Sequence, residues 1–325
     1  MEPKAPRSRG VSLILHATPM TLRYPVFLPD GEELLPAGTR LSRGLLEKLS
    51  PRRGRKRGPE RSLVRHGTVR RDLREMIRQG TYRTIFRDRK ECSDLFRRME
   101  QDRLPLPVLE SLDYFHQKDP YTYKHTLMVF ALSCLLARRL GGEFRAGIEE
   151  FRAGPLHDVG KLCVPLDILR KSSPLRRTDR DALEHHTLAG YVLLFHYLGE
   201  AGEPSANVAR DHHERKDASG YPRGIRLRNR LAEVIAVCDV YDALVSPRPY
   251  RKKSFDNRTA LEEITAMAEQ GKIGWGIVRA LVAHNRKDHP LPGLCKVSSE
   301  KRGTPPEGNF YGIIVEDPPA PPNPA

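Results

Sequence analysis

His157 and Asp158 stand side by side in the run Pro155-Leu-His-Asp-Val-Gly-Lys161. An imidazole nitrogen next to a carboxylate can hold a divalent metal. If the segment is helical, Lys161 falls four residues after His157 and three after Asp158, so its ammonium projects from the same face. A positive charge beside a metal suits chemistry at a phosphate. One His-Asp pair is weak evidence, since most such pairs are ordinary polar residues. Four further stretches supply the same ligand types: His125 in Tyr-Lys-His-Thr-Leu, His186 in Glu-His-His-Thr-Leu-Ala-Gly190, the doublet His212-His213 followed by Glu214, and Asp239 in Ala-Val-Cys-Asp-Val-Tyr-Asp242. Together they offer imidazoles and carboxylates enough for two metals. Nitrogen and oxygen ligands without thiolate fit iron, manganese or zinc better than copper or an iron–sulfur cluster.

In order and spacing, over roughly residues 105–290, these blocks resemble the HD-GYP phosphodiesterases of bacterial cyclic dinucleotide signalling, a branch of the HD metal-dependent phosphohydrolases. His157-Asp158 with Lys161 is similar to that family's His-Asp-x-Gly-Lys stretch, and His186, four before Gly190, resembles the next ligand. His212-His213-Glu214 with Gly220-Tyr221-Pro222 resembles the segment that names the family. Asp239 resembles the closing carboxylate, and Arg248-Pro249-Tyr250-Arg251 a stretch that contacts substrate phosphate.

The resemblance implies a mainly α, HD-type all-helical phosphohydrolase domain. It implies metal ligands His125, His157, Asp158, His186, His212, His213 and Asp239, with Asp158 and Lys161 as catalytic groups and Lys161, Arg248, Arg251 and Tyr221 as substrate contacts. Two divalent ions, iron or manganese before zinc, would be bridged by Asp158 and activate a hydroxide for in-line attack on phosphorus. The metals and Lys161 would offset the charge that develops, and Arg248 and Arg251 would grip phosphate through paired hydrogen bonds. The implied substrate is a cyclic dinucleotide, cyclic di-GMP before the mixed guanine–adenine form. Two alternatives stay open: a sensor that binds the dinucleotide with little or no turnover, and an HD phosphohydrolase acting on nucleotides or RNA.

Three departures bear on these expectations. Tyr121 stands four residues before His125, where many members carry a glutamate for a third metal; a phenol cannot replace a carboxylate at neutral pH, so two metals are expected. The usual Asp-Gly-x-Gly-Tyr-Pro reads Asp217-Ala218-Ser219-Gly220-Tyr221-Pro222, which constrains the backbone if that position needs positive φ. Gly154-Pro155 just before His157 implies that the His-Asp helix starts late or is kinked.

The elements that must position these groups are legible in outline. Asp119-Pro120 forms an N-cap and first turn, and the apolar run from Leu127 to Leu132 leads on to a stop at Gly141-Gly142, which sets His125 near the start of a buried helix. Thr178-x-x-Asp181 resembles a capping box opening a helix through Leu198. On it His185 and His186 point about 100° apart, so His186 faces the metals and His185 is a surface or supporting residue. Asp242, three after Asp239 on the same helical face, is placed to orient a ligand.

Residues 1–50 read as a small β-rich module, with turns at Pro29-Asp30-Gly31 and Pro36-Ala-Gly38 and a short helix from Thr39 to Leu49. Residues 51–67 form a basic linker and 68–104 an amphipathic helix or helix pair carrying Leu73, Met76, Ile77, Ile85, Phe86, Leu95, Phe96 and Met99. Residues 105–296 are the catalytic domain. A proline-rich tail, 297–325, reads as disordered apart from a short strand over Phe310 to Val315.

Composition narrows the function classes. The net charge is +15, but residues 51–103 hold 18 Lys and Arg against 8 Asp and Glu, so most of the excess lies outside the ligand blocks. The run Arg52-Arg53-Gly-Arg55-Lys56-Arg57 lacks interleaved aromatics, and specific nucleic-acid binding is not expected. A signalling protein or a second copy of the chain is a conceivable partner for the amphipathic segment. The five cysteines are scattered, without Cys-x-x-Cys spacing, which argues for reduced thiols. No apolar run approaches eighteen residues, and Val11 to Leu15 is too short for a secretory leader, so a cytoplasmic protein with no membrane partner is expected.

Overall fold

Two helices buried along most of their length lie at the centre of the molecule, because a helix that is apolar over most of its surface must be surrounded by protein. In the computed structural model these are α6 and α12. The structure describes residues 20–50, 59–141, 148–199, 203–248, 251, 253–307 and 314–316. The basic run at 52–57 and the Val11 to Leu15 stretch lie outside them.

In chain order, the N-terminal part holds a hairpin, β1 (Val26–Phe27) antiparallel to β2 (Glu33–Leu35), and α1 (Arg43–Leu49). The helix begins later than the sequence suggested, because Ser42 is its cap: the Ser42 hydroxyl accepts the Leu45 amide at 3.2 Å. Next, β3 (Glu60–Ser62) pairs antiparallel with β4 (Arg103–Pro105) and closes off the helical segment between them, α2 (Val69–Met76), α3 (Tyr82–Ile85) and α4 (Arg89–Met99). Three helices form here where one or two were expected. Gly80, at φ 50°, turns the chain before α3, and Asp88 caps α4 by accepting the Lys90 and Glu91 amides. Of the apolar positions named from sequence, all but Met76 are buried.

The helical domain follows: α5 (Leu106–Lys118), α6 (Pro120–Leu140), α7 (Ile148–Leu156), α8 (Leu166–Leu169), β5 (Leu175–Arg176), α9 (Arg177–Glu184), α10 (His186–Leu198), α11 (Glu203–Asp211), α12 (Arg230–Val245), α13 (Asn257–Glu269) and α14 (Trp275–His284). Asp119 caps α6 through the Thr122 amide, and Pro120 occupies the first turn as expected. α6 packs against α5, α7, α12 and α14, and α10 against α11. Gly154 lets α7 close onto α6, since a Cβ there would stand 2.8 Å from Ser133 Oγ and 3.0 Å from Phe130 Cα. The capping expectation for Thr178 is corrected: the cap of α9 is Arg176, two residues earlier, and Asp179 accepts the Arg176 amide at 2.8 Å. The helix expected to run through Leu198 is broken at His185 into α9 and α10. At the far end β6 (Ile314–Val315) pairs in parallel with β5, and Glu262 on α13 accepts the Arg302 and Gly303 amides, so the described part of the tail is held down. No helix among the described residues is long and apolar enough to cross a membrane.

Candidate metal centre

Helix ends deliver most of the candidate ligands. His125 lies in the second turn of α6, His186 is the first residue of α10, and His212-His213 follow α11 directly. Asp239 comes from the middle of α12. His157 and Asp158 occupy a turn after α7, which Pro155 terminates within one residue, and Val159–Cys163 continues as a 3-10 segment. This corrects the helical reading of that run. Lys161 nonetheless reaches Asp158, Nζ to Oδ2 at 2.5 Å, because three residues make one turn of a 3-10 helix.

Asp158 is the hub. Its Oδ2 faces Nε2 of His157 at 3.3 Å and of His125 at 3.5 Å; its Oδ1 faces Nε2 of His186 at 3.4 Å and of His212 at 3.8 Å. Asp239 Oδ1 lies 3.0 Å from His125 Nε2. Two groups of donor atoms thus flank one carboxylate, His125, His157 and Asp239 on one side and His186, His212 and His213 on the other. A carboxylate with one oxygen toward each set is arranged to bridge two cations.

The outer ring nitrogens settle the orientation of the imidazoles. Nδ1 of His157 donates to the Gly154 carbonyl at 2.7 Å, Nδ1 of His186 to the Leu183 carbonyl at 2.6 Å, and Nδ1 of His212 to the Ala209 carbonyl at 2.9 Å. A carbonyl only accepts, so in each neutral ring the proton sits on Nδ1 and the Nε2 lone pair points inward. His157 Nε2 is buried and makes no properly directed hydrogen bond, an acceptor that a cation would satisfy. Burial pushes His186 down to about 4 and His212 down to about 3, and lowers His213 strongly, which keeps all three in the ligating form. His125 differs: burial opposes its charge, but the carboxylates of Asp239 and Asp242 on its two faces outweigh that and push it up to about 9. Burial also opposes charge on Asp158, yet the Lys161 ammonium beside it holds it well below the usual carboxylate range. The donor set fits divalent cations.

Other expected residues fall into place unevenly. Tyr221 stacks on His213 with ring centroids 4.5 Å apart, and the guanidinium of Arg248 lies 4.4 Å over the ring of Tyr121, which itself stacks on His125. Arg251 departs from the expectation of a phosphate grip. It is buried, and its Nη2 donates to the carbonyls of Ala243, Leu244 and Ser246, so it closes the C-terminal end of α12. His185 is not a surface residue: its Nε2 meets the Pro25 carbonyl at 3.2 Å and its ring meets Tyr24, because the N-terminal module covers it.

Two residues escaped the sequence reading. Glu214, fully buried, accepts the amides of Arg223 and Ile225 and pins the loop that carries Tyr221. Tyr82 on α3 donates to Asp242 Oδ1, while Asp242 Oδ2 accepts a hydrogen bond from His125 Nδ1 at 2.6 Å. The helical segment before the domain therefore reaches the candidate ligand His125 through one carboxylate. The adjacency of Glu214 to the histidine doublet is a signal for the first residue; nothing in sequence marks Tyr82.

The loop also bears out the concern over its lost glycine. Ala218 has φ 67°, in the left-handed region that a Cβ disfavours. Gly220 needs its missing side chain for another reason: a Cβ would stand 2.2 Å from the His213 carbonyl oxygen. Ala218→Gly is expected to stabilise the protein by roughly 0.5–1 kcal/mol, strain relief less the entropy of a freer unfolded chain. Thermal unfolding should show Tm raised by about 1–3 °C; an unchanged or lower Tm would contradict the strained loop.

A mainly helical domain that gathers this constellation of histidines and aspartates is of the HD type. The family model described as HD domain matches residues 112–275, and the chain belongs to that family, in its HD-GYP branch. A cyclic di-GMP phosphodiesterase of Pseudomonas aeruginosa is 37% identical over 220 residues, 66% of this chain and 52% of that protein. A cyclic di-GMP phosphodiesterase of Thermotoga maritima is 37% identical over 147 residues, covering 44% of this chain and 40% of the relative. A 3'3'-cGAMP-specific phosphodiesterase of Vibrio cholerae is 33% identical over 136 residues, 41% of this chain and 31% of the relative. The chain spans about half the length, or less, of these curated relatives.

Proposed function

We propose that the chain is a phosphodiesterase that opens a cyclic dinucleotide, cyclic di-GMP in the first instance, using two divalent cations held by His125, His157, Asp158, His186, His212, His213 and Asp239. The observation that carries this reading is the set of imidazoles anchored through Nδ1, with Nε2 turned toward both oxygens of one buried carboxylate. When bound, the cations supply Lewis-acid activation of water and of the phosphodiester. The all-nitrogen and oxygen donor set favours iron or manganese, with zinc acceptable.

The chain's own side chains do the rest. Lys161, already paired with Asp158, offers its remaining N–H groups to a non-bridging phosphate oxygen and offsets charge there. Arg248, laid over Tyr121 beside His125, is the guanidinium placed nearest the candidate ligands to meet phosphate, whereas Arg251 holds α12 in place. Tyr221, stacked on His213, is the aromatic side chain beside the ligands suited to contact with a base. Tyr121, at the position where the family resemblance implies a glutamate for a third metal, stacks on His125 instead, which supports a count of two catalytic cations.

The test is a product assay with full-length protein purified without oxygen and loaded with manganese or iron, on cyclic di-GMP and on 3'3'-cGAMP. Linear dinucleotide or mononucleotide should form from cyclic di-GMP at the higher kcat/KM, and His157→Ala should lose that turnover. Binding of both nucleotides without product in manganese, iron or zinc would replace this reading with that of a sensor. Faster cleavage of linear RNA or a mononucleotide would move the substrate class.

A further inference from the structure

Glu91 on α4, His284 at the last residue of α14 and His289 in the loop that follows bring three ligand atoms within 4.8 Å of one another. None belongs to the ligand set above. His284 is 1% exposed, and neither of its ring nitrogens has a hydrogen-bond partner. His289 Nε2 is likewise buried without one. A neutral imidazole brings one donor and one acceptor, and burying both unmet carries a desolvation penalty, so proteins rarely leave such a ring unanswered.

The backbone is committed to the same arrangement. His289 adopts φ 42°, a left-handed conformation that costs a residue with a Cβ and persists only where its surroundings impose it. Arg139 on α6 imposes it in part, donating from Nη2 to the carbonyls of His289 at 2.5 Å and Pro290 at 3.0 Å. That guanidinium is thus turned to the loop backbone, and the neighbouring Arg138 lies 3.9 Å from Asp94. Two imidazoles and one carboxylate, with no thiolate, match the three-protein-ligand sites that zinc occupies with its fourth position open.

We propose that Glu91, His284 and His289 bind one zinc-like divalent cation, a third metal site that clips α4 of the N-terminal helical segment to α14 of the HD domain. Ligation at about 2.0–2.1 Å in tetrahedral geometry brings donor atoms to roughly 3.4 Å from one another. From separations of at most 4.8 Å this asks the three groups to close by no more than about 1.4 Å, to which the half-buried Glu91 side chain and the loop that carries His289 can both contribute. Loading this site ties two parts of the chain that are 193 residues apart, from Glu91 to His284.

Zinc stoichiometry tests the proposal without reference to turnover. Metal-free full-length protein titrated with zinc chloride, desalted and analysed for bound metal, should retain three equivalents. Glu91→Gln and His289→Ala, both at positions less buried than His284, should each retain two and keep the wild-type circular dichroism spectrum. Calorimetry should show the affinity of that one equivalent weakened at least 10-fold, in the range that loss of a coordinating group gives. His157→Ala should still show the Glu91-dependent equivalent, which separates this site from the catalytic set. The proposal is overturned by wild-type protein that takes up only two equivalents, or by unchanged stoichiometry and affinity in both variants.

Discussion

Asp158→Asn is expected to reduce turnover of the cyclic dinucleotide by roughly 10³-fold or more, and to leave the anaerobically purified protein with little bound metal. The substitution preserves shape, so the effect reports on charge. Asp158 is 2% exposed, and its two oxygens face separate pairs of imidazoles, His125 and His157 from Oδ2, His186 and His212 from Oδ1. An amide keeps one oxygen but replaces the other with an NH₂ donor, which cannot ligate. The buried anion proposed to be shared by two cations is lost, and one set of donors is left without it. The change also strips Lys161 of its partner at 2.5 Å, at a cost of about 1.5–3 kcal/mol in stability for a hydrogen bond between charged groups. Metal analysis, kcat and thermal unfolding should therefore be measured on the same preparation. A variant that keeps two metals and turns over within 10-fold of wild type would remove Asp158 from the hub of the site.

How far this could be anticipated depends on which physical rule governs each residue. Asp119-Pro120 caps α6 as its local chemistry dictates, and the apolar run from Leu127 to Leu132 demands burial, so the helix carrying His125 was legible. Six of the side chains expected as ligands do gather around the seventh, the carboxylate of Asp158, and four of the six stand at or just beyond helix ends. Arg251 could not be read. Whether a guanidinium faces phosphate or a helix end depends on how the chain returns after α12, a tertiary matter, and here it returns onto three carbonyls. The break at His185 escaped for a similar reason. His185 is held by Pro25 and Tyr24, some 160 residues away, and helical periodicity carries no trace of that contact. Tyr82 is the most instructive omission. A tyrosine in an arginine-rich amphipathic segment reads as core, yet its hydroxyl ends on Asp242 and so on the ring of His125. The amphipathic segment thereby has a physical link to the candidate metal site that composition alone would assign to packing.

Gly160→Ala should be the most damaging single methyl group that can be added near the site. A Cβ at position 160 would stand 1.9 Å from the His186 carbonyl oxygen, 2.3 Å from the Gly190 amide nitrogen and 2.9 Å from Gly190 Cα. These are backbone atoms of the first turns of α10, so no rotamer change relieves the overlap. Either the 3-10 segment Val159–Cys163 or α10 must move by about an ångström or more, and Asp158 and His186 separate with them. The expected cost is about 3 kcal/mol or more, at the upper end for overpacking, with Tm lower by about 10 °C and metal lost even from the folded fraction. Gly44→Ala is the matched control. In α1 a Cβ at that position meets nothing within 4 Å, and alanine in a helix should be neutral or stabilising by up to about 1 kcal/mol. The two variants add the same atoms, and only the close approach of two backbones distinguishes them. If Gly160→Ala matches the wild type in Tm and metal content, the segment bearing Asp158 and Lys161 does not rest on α10 as described, and the geometry assigned to the bridging carboxylate fails with it.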